Sequence, residues 1–131
     1  MNNSVIKSCI NLLAMGCFFL STPPLFAEGT RLSSTSQQGR TLALTFLDTP
    51  ITTDATKAEF CADEGLTLSE AKLWMPEMGH GSSSTRLKAS TTPSCMEISR
   101  INFVMAGAWE IRVKMTDGDS ATFLVDVTSA P

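Results

Sequence analysis

The chain has a single histidine, His80, among its 131 residues. A serine hydrolase needs a histidine base beside its nucleophile, and here only His80 and the serines at 82–84 could form such a pair. These serines do not lie in a nucleophile elbow, and the sequence shows no acidic residue placed to orient the imidazole. The segment "GHGSSST" also lacks the lysine and the spacing of a phosphate-binding loop. The sequence therefore predicts a protein that is not an enzyme.

Basic residues are scarce and scattered. The chain has 10 lysines and arginines against 13 aspartates and glutamates, which gives a net charge of −3 at pH 7. Nucleic acids and anionic membrane surfaces attract proteins through clusters of basic residues, and the sequence contains no such cluster. The composition therefore argues against both as partners.

The apolar run near the N-terminus, "CINLLAMGCFFL", is shorter than the roughly 20 residues that a membrane-spanning helix needs. Lys7 precedes it, and "STPPLFA", which ends in a small residue, follows it. A positive charge, an apolar segment and a small residue at the cleavage site, in this order, are typical of a secretory signal peptide. We predict a signal peptide over residues 1–27, with cleavage after Ala27. The mature chain is then periplasmic or secreted and does not span a membrane. A lipoprotein attached through Cys17 is the less favoured alternative, because Ala14 stands where a lipidation box usually has leucine.

Cleavage of the predicted signal peptide removes Cys9 and Cys17, so the mature chain has two cysteines, Cys61 and Cys95. Two thiols in an oxidising compartment most simply form one disulfide, and two unpaired buried cysteines are the alternative. The disulfide would close a loop of about 34 residues and stabilise the fold by roughly 3–4 kcal/mol on the loop-entropy model. Metal ligation by these thiols is less favoured, because exposed thiols oxidise outside the cytoplasm.

The rest of the chain divides into a polar lead-in and one domain. Residues 28–40 are polar and serine-rich, which predicts a flexible lead-in, and residues 41–131 form the domain. Within the domain, apolar and polar residues alternate over 41–47, 66–75, 84–90, 96–105, 109–116 and 120–127. Short strands with one polar face, separated by turn residues, predict an all-β protein built as an antiparallel β-sandwich. One helical alternative remains over Thr52–Gly65, which Asp54 could cap and Gly65 could end.

Two turns can be placed within this pattern. The apolar parity changes between Ile98 and Ile101, which predicts a bulge or turn near Ser99–Arg100. The last two segments form a hairpin joined by Asp117-Gly118, a pair that suits a type I′ turn.

The segment "LWMPEMGHG" gathers unusual side chains around a turn. Met75 ends a strand, Pro76 stops the pairing, and Met78 and His80 follow with Gly79 between them. Thioether and imidazole donors suit copper, above all copper(I), whereas zinc would require cysteine, carboxylate or more histidine. We predict Met78 and His80 as primary copper ligands and Met75 as a further ligand. The nearby Trp74 and the later Trp109 would cover the ion.

These methionines also have a plain structural interpretation, because methionine fills gaps in protein cores. Met75 and Met105 continue the inward faces of predicted strands and suit the core as well as a metal site, and Met96 is evenly balanced between the two. Met78 and His80 lie outside any strand pattern. They either bind a ligand, or His80 is simply exposed or orders the turn.

Three segments, "LWMPEMGHGS", "INFVMAGAWEIRV" and "ATFLVDV", resemble the YtkA-like and FixH-like families of extracytoplasmic β-domains over roughly residues 41–127. The resemblance implies an immunoglobulin-like sandwich and a link to copper handling or to respiratory-oxidase maturation. It also implies that Met105 lies near Met75 and joins the ligands. FixH-type proteins keep a membrane anchor, which a cleaved leader would not supply.

The leading hypothesis is therefore a secreted or periplasmic copper-binding carrier, chaperone or buffer, whose partner is a copper-receiving protein of the cell envelope. The alternative is a structural or protein-interaction β-sandwich of the envelope that binds no metal.

Overall fold

The computed structural model describes residues 29–62 and 66–131, which form nine β-strands in two antiparallel sheets. The strands are β1 (Thr30–Thr35), β2 (Thr41–Phe46), β3 (Ala58–Ala62), β4 (Leu68–Met75), β5 (His80–Gly81), β6 (Arg86–Ala89), β7 (Cys95–Ser99), β8 (Gly107–Met115) and β9 (Ser120–Val127). One sheet has the order β1-β2-β3-β7-β6 and the other β5-β4-β8-β9. The predicted all-β antiparallel sandwich is confirmed.

The core lies between the two sheets. Along β8 every second residue is buried, so that Trp109 and Ile111 face the core while Glu110 and Arg112 face outward. This alternation of burial follows the alternation of apolar and polar residues that the sequence shows over 109–116. The other large buried side chains include Leu42, Leu44, Phe46, Phe60, Ile98, Phe103, Val113, Met115 and Phe123. Burying one such side chain contributes about 1.5–3 kcal/mol, so that this core supplies most of the stabilisation.

The segment predicted as a flexible lead-in contains a strand. Thr30–Thr35 is β1, and it pairs with β2 along its whole length, with Leu32 opposite Leu44. The prediction of flexibility over residues 28–40 is therefore wrong for β1. Leu32 packs against the core, and the polar residues around it occupy the outward face of a strand at the edge of the sheet.

The helical alternative for Thr52–Gly65 is also wrong over its described part. Residues 58–62 form β3, which lies between β2 and β7 with Phe60 fully buried. β3 pairs with a strand on each side, and these pairings satisfy the backbone hydrogen bonds that a helix would satisfy internally. Every second residue of β3 is buried, which is the periodicity of a strand.

Regular strand structure stops at both places where turns are predicted. β7 ends at Ser99, and Arg100 has φ of +61°, so the strand is interrupted where the apolar parity changes. In the last hairpin the Gly118 N–H donates to the Met115 carbonyl, and Gly118 has φ of +96°. Asp117 does not take the positive φ that a type I′ turn requires, because Ser94 and Arg100 are the only non-glycine residues with positive φ in the described ranges. The four residues 116–119 instead form a loop in which the Met115 N–H donates to the Asp119 carbonyl at 2.8 Å and Gly118 is the left-handed residue.

The predicted disulfide is present. Cys61 on β3 and Cys95 on β7 are directly opposite each other and are bonded. The predicted signal peptide, residues 1–27, and the lipidation alternative at Cys17 lie outside the described residues. Within residues 29–62 and 66–131, no helix has the length and apolar character needed to cross a membrane.

One end of the sandwich collects the segments that carry the candidate ligands. β4 ends there at Met75, β5 begins there at His80, and β8 begins there at Gly107. β2 also ends there, since the Phe46 ring lies 6.2 Å from the Phe103 ring. We call this region, formed by the connections 47–57, 76–79 and 100–106 with the adjoining strand ends, the His80 end.

Candidate functional site

A tight turn between β4 and β5 places His80 beside Met75. The N–H groups of Met78 and Gly79 both donate to the Met75 carbonyl, at 3.2 and 2.9 Å. Gly79 has φ of +65°, which favours glycine because other side chains rarely adopt it. The chain therefore reverses within residues 76–79, and His80 pairs directly with Met75.

Met75 and His80 are direct cross-strand partners, so their side chains leave the sheet on the same face, with Cβ atoms about 4.5–5.5 Å apart. Met75 is 3% exposed and belongs to the core, while His80 is half-buried at its edge. The His80 ring lies 6.2 Å from the Trp109 ring in an edge contact. Met75 and His80 therefore share one face of the sheet, and the imidazole lies against the indole of Trp109.

The hydrogen bond of His80 selects its tautomer. His80 Nδ1 lies 3.0 Å from the Gly81 carbonyl oxygen. A carbonyl oxygen only accepts, so Nδ1 carries the hydrogen, and in the neutral ring Nε2 keeps its lone pair. Histidines that bind metal ions through one ring nitrogen usually donate the other N–H to such an acceptor.

Trp109 organises the second half of the site. Its ring is buried and lies 5.5 Å from the Phe103 ring, and its indole N–H donates to the Met105 carbonyl at 2.9 Å. This bond fixes the segment before β8 next to His80. Met105 lies in that connecting segment rather than on a strand, and it is 39% exposed.

Gly107 brings Met75 into contact with the same segment. A Cβ placed on Gly107 would lie 2.4 Å from the terminal methyl of Met75, and Gly107 has φ of +142°. The thioether of Met75 therefore ends against the backbone two residues after Met105. The sequence places Gly107 in the second motif, but it does not reveal this contact.

Met78 lies in the turn at the rim of the His80 end. Its side chain is 54% exposed, and Val104 and Met105 of the neighbouring connection are also exposed. The predicted ligands thus divide into a buried Met75, a half-buried His80, and two methionines that are open to solvent.

The structure does not bring Trp74 to this cluster. Trp74 is opposite Glu110 and Gly81, and it lies on the outer face of the four-stranded sheet, whereas Trp109 lies on the inner face. The Arg112 guanidinium lies 5.1 Å from the centre of the Trp74 ring. Of the two tryptophans predicted to cover an ion, only Trp109 is adjacent to His80.

A link between the two connections at the His80 end is invisible in the sequence. The Ser82 hydroxyl donates to the Asn102 carbonyl, which ties the chain just after β5 to the segment 100–106. The two residues are 20 positions apart, and although each lies in one of the motif segments, nothing in the sequence pairs them. Only the fold shows that they hold the His80 and Met105 segments together.

No family model, no curated protein and no solved structure matches this chain significantly. The resemblance to YtkA-like and FixH-like domains therefore stays a prediction drawn from the motif residues.

Proposed function

We propose that this protein is a copper(I)-binding module of the extracytoplasmic space that carries or buffers the ion through His80, Met75, Met78 and Met105. The observation that carries the proposal is the arrangement of His80, whose Nδ1–H is held by the Gly81 carbonyl and whose cross-strand neighbour is a methionine. This leaves Nε2 as the free donor nitrogen of a histidine located next to thioether sulfur.

The donor set fits copper(I). Thioether and imidazole are neutral donors, and soft thioethers select copper(I) over the harder divalent cations. Methionine also cannot be lost to disulfide formation, so the set remains available in an oxidising compartment. Trp109 adds an aromatic wall beside His80, and cation–π attraction contributes about 1–2 kcal/mol where water is excluded.

The exposure of the ligands favours a carrier over a storage site. Met78 and Met105 are open to solvent, so that a receiving protein could offer its own ligands while Met75 and His80 still hold the ion. A copper-receiving partner in the cell envelope is part of this proposal.

The test is a titration of copper(I) under reducing conditions, with a chromophoric chelator as competitor. Met78→Leu and Met105→Leu remove sulfur while retaining volume, and His80→Ala removes the imidazole. Met115→Leu is the matched control, because Met115 is a buried thioether at the other end of β8. We expect the control to bind as the wild type does and His80→Ala to bind at least about tenfold more weakly, which corresponds to about 1.4 kcal/mol.

Equal and weak binding by the wild type and by a Met78→Ala/His80→Ala double variant would rule the proposal out. That result would leave the alternative of an envelope sandwich without metal, in which the turn and Trp109 serve only as a packed corner.

A further inference from the structure

The disulfide lies on the outer face of the five-stranded sheet, away from the His80 end. Along β3 the residues Ala58, Phe60 and Ala62 face the core, so Glu59 and Cys61 face outward. Cys95 is the partner of Cys61 on β7, and its side chain lies on the same outer face. Neither Glu59 nor the cysteines belong to the copper site proposed above.

Three potential ligand atoms meet at this place. A carboxylate oxygen of Glu59 and the two sulfur atoms of Cys61 and Cys95 all lie within 4.8 Å of one another. The Ser90 hydroxyl donates to Oε2 of Glu59, which holds the carboxylate in position and leaves Oε1 available. A surface cavity of about 230 Å³ adjoins the disulfide and opens it to small molecules, and Arg31 is in its lining.

The other carboxylate of this face is already engaged. Glu97 lies opposite Glu59 on β7, and its two oxygens lie 3.9 Å from Lys57 Nζ and 3.8 Å from Lys88 Nζ. With Glu97 engaged, the donors left on this face are the two cysteine sulfurs and the Glu59 carboxylate. They suit a cation that binds two sulfurs and one oxygen.

We infer that reduction of the Cys61–Cys95 disulfide creates a second metal site, in which both thiolates and Glu59 bind a thiophilic divalent cation of the Zn²⁺ class. Cysteine and carboxylate are both zinc ligands, and three protein ligands leave the fourth tetrahedral position open to solvent or to an incoming ligand. The inference does not depend on the proposed copper function.

The redox step balances with a dithiol as co-reactant. The Sγ–Sγ bond breaks, the dithiol supplies two electrons and two protons, and it becomes a disulfide itself. When the cation binds, each cysteine thiol loses its proton to solvent, because the thiolate is the metal ligand. Reoxidation reverses the sequence and releases the cation.

The strand ladder holds the cysteines in place after the bond opens. Phe60 pairs with Met96 and Ala58 with Ile98, and Phe60 and Ile98 are fully buried. In a tetrahedral site with Zn–S bonds of about 2.3 Å the two sulfurs are about 3.8 Å apart. The Cα atoms of Cys61 and Cys95 are 4.2 Å apart, so rotation about χ1 can widen the sulfur separation to this distance once the bond is open.

The experiment compares the oxidised protein with protein reduced by a phosphine. Cd²⁺ is the first probe, since thiolate-to-cadmium charge transfer gives an ultraviolet absorption band, and Zn²⁺ is then titrated against a chromophoric chelator. We expect one equivalent of Cd²⁺ to produce the band in reduced protein only. Glu59→Gln should weaken Zn²⁺ binding by about tenfold or more, and Glu97→Gln is the matched carboxylate control with unchanged binding.

Cys61→Ser/Cys95→Ser is the second control, because it keeps every other thiol and the whole His80 end. The inference is overturned if reduced wild type binds Cd²⁺ no better than this variant, or if Glu59→Gln and Glu97→Gln bind Zn²⁺ alike. It is equally overturned if circular dichroism shows that the reduced protein has lost its fold, since the site requires an intact ladder.

Discussion

Gly107 has no side chain, and this allows the close packing of Met75 at the His80 end. It has φ of +142°, and the methyl of Met75 occupies the place that a Cβ would need. We predict that Gly107→Ala lowers the free energy of unfolding by about 1–3 kcal/mol, from backbone strain and overpacking, and also weakens copper(I) binding by displacing Met75.

Gly39→Ala is the control for this prediction, measured by urea denaturation. Gly39 has φ of +86° but has open space around its Cα, so this variant carries backbone strain without a clash. An equal loss of stability for both variants, with copper binding unchanged in Gly107→Ala, would contradict the contact argued for Met75.

Asp119 is a buried carboxylate at the opposite end of the sandwich, next to the last turn. It accepts hydrogen bonds from the Ser36 hydroxyl at 2.6 Å and from the Gln38 N–H at 3.1 Å, and Arg40 lies 3.2 Å away. Burial by itself raises the pKa of Asp119, but the hydrogen bonds from Ser36, Ser120 and Gln38 and the charge of Arg40 outweigh it, so that its pKa is below the ordinary value.

A lowered pKa in the folded state sets the direction of the pH dependence. The stabilisation by Asp119 is fully present above the pKa of the unfolded chain, about 3.9, and is lost as the pH falls through the lower pKa of the folded protein. We predict that Asp119→Asn destabilises the protein at neutral pH and flattens the decline of stability below about pH 4. Thermal unfolding at a series of pH values from neutral to below pH 4 measures this change in stability, with a substitution of the exposed Asp126, Asp126→Asn, as control. An acid profile of Asp119→Asn parallel to that of the wild type would disprove the linkage.

At the scale of elements, a side-chain hydrogen bond from β8 helps to hold the connection 100–106 in place. The Trp109 indole N–H donates to the Met105 carbonyl. Trp109→Phe retains an aromatic ring but removes this donor, so we predict a destabilisation of about 1–3 kcal/mol and weaker copper(I) binding. Trp74→Phe changes the outer face and should leave copper binding unchanged. The same chelator competition measures both variants, and a larger effect from Trp74→Phe would refute the assignment.

The disulfide joins β3 to β7 across a separation of 34 residues. On the loop-entropy model, Cys61→Ala/Cys95→Ala should lower the free energy of unfolding by roughly 3–4 kcal/mol. Domains of this size have about 5–15 kcal/mol of stability, so the variant should remain folded at room temperature. Urea denaturation measures the change, and a midpoint equal to that of the wild type would show that the bond adds no stability.

The strands that alternate clearly in sequence are the ones that could be predicted. β8 and β9 bury every second side chain, and their pattern fixes both their type and their facing. β1 could not be found in this way, because Leu32 is its one large apolar residue and its stability comes from pairing with β2. β3 was open to a helical interpretation because its pairing with β2 on one side and with the distant β7 on the other is not visible in its own sequence.

At the scale of the whole molecule, the sequence predicts the donors of the His80 end but not their arrangement. Met75, Met78 and His80 lie within one short stretch, residues 75–80, so a turn suffices to bring them together. The neighbours contributed by residues 102–109 depend on the pairing of β8 with β4 and on the course of the connection 100–106, and periodicity carries no information about either. The outward position of Trp74 follows from the parity of β4, in which Met75 faces the core.

The two proposed sites also lie on different sheets. The His80 end is built on β4, β5 and the start of β8, while the disulfide with Glu59 lies on β3 and β7. Variants of one site should therefore leave the other unchanged, since separated positions without shared partners act additively.

X-ray absorption at the copper edge of the copper(I)-loaded protein reports the ligands of the ion directly. We expect a first shell of thioether sulfurs with one imidazole nitrogen, and we expect His80→Ala to lose the imidazole scattering while the sulfur shell remains. A shell of nitrogen and oxygen without sulfur, or a spectrum that is the same in His80→Ala as in the wild type, would contradict the proposed copper site.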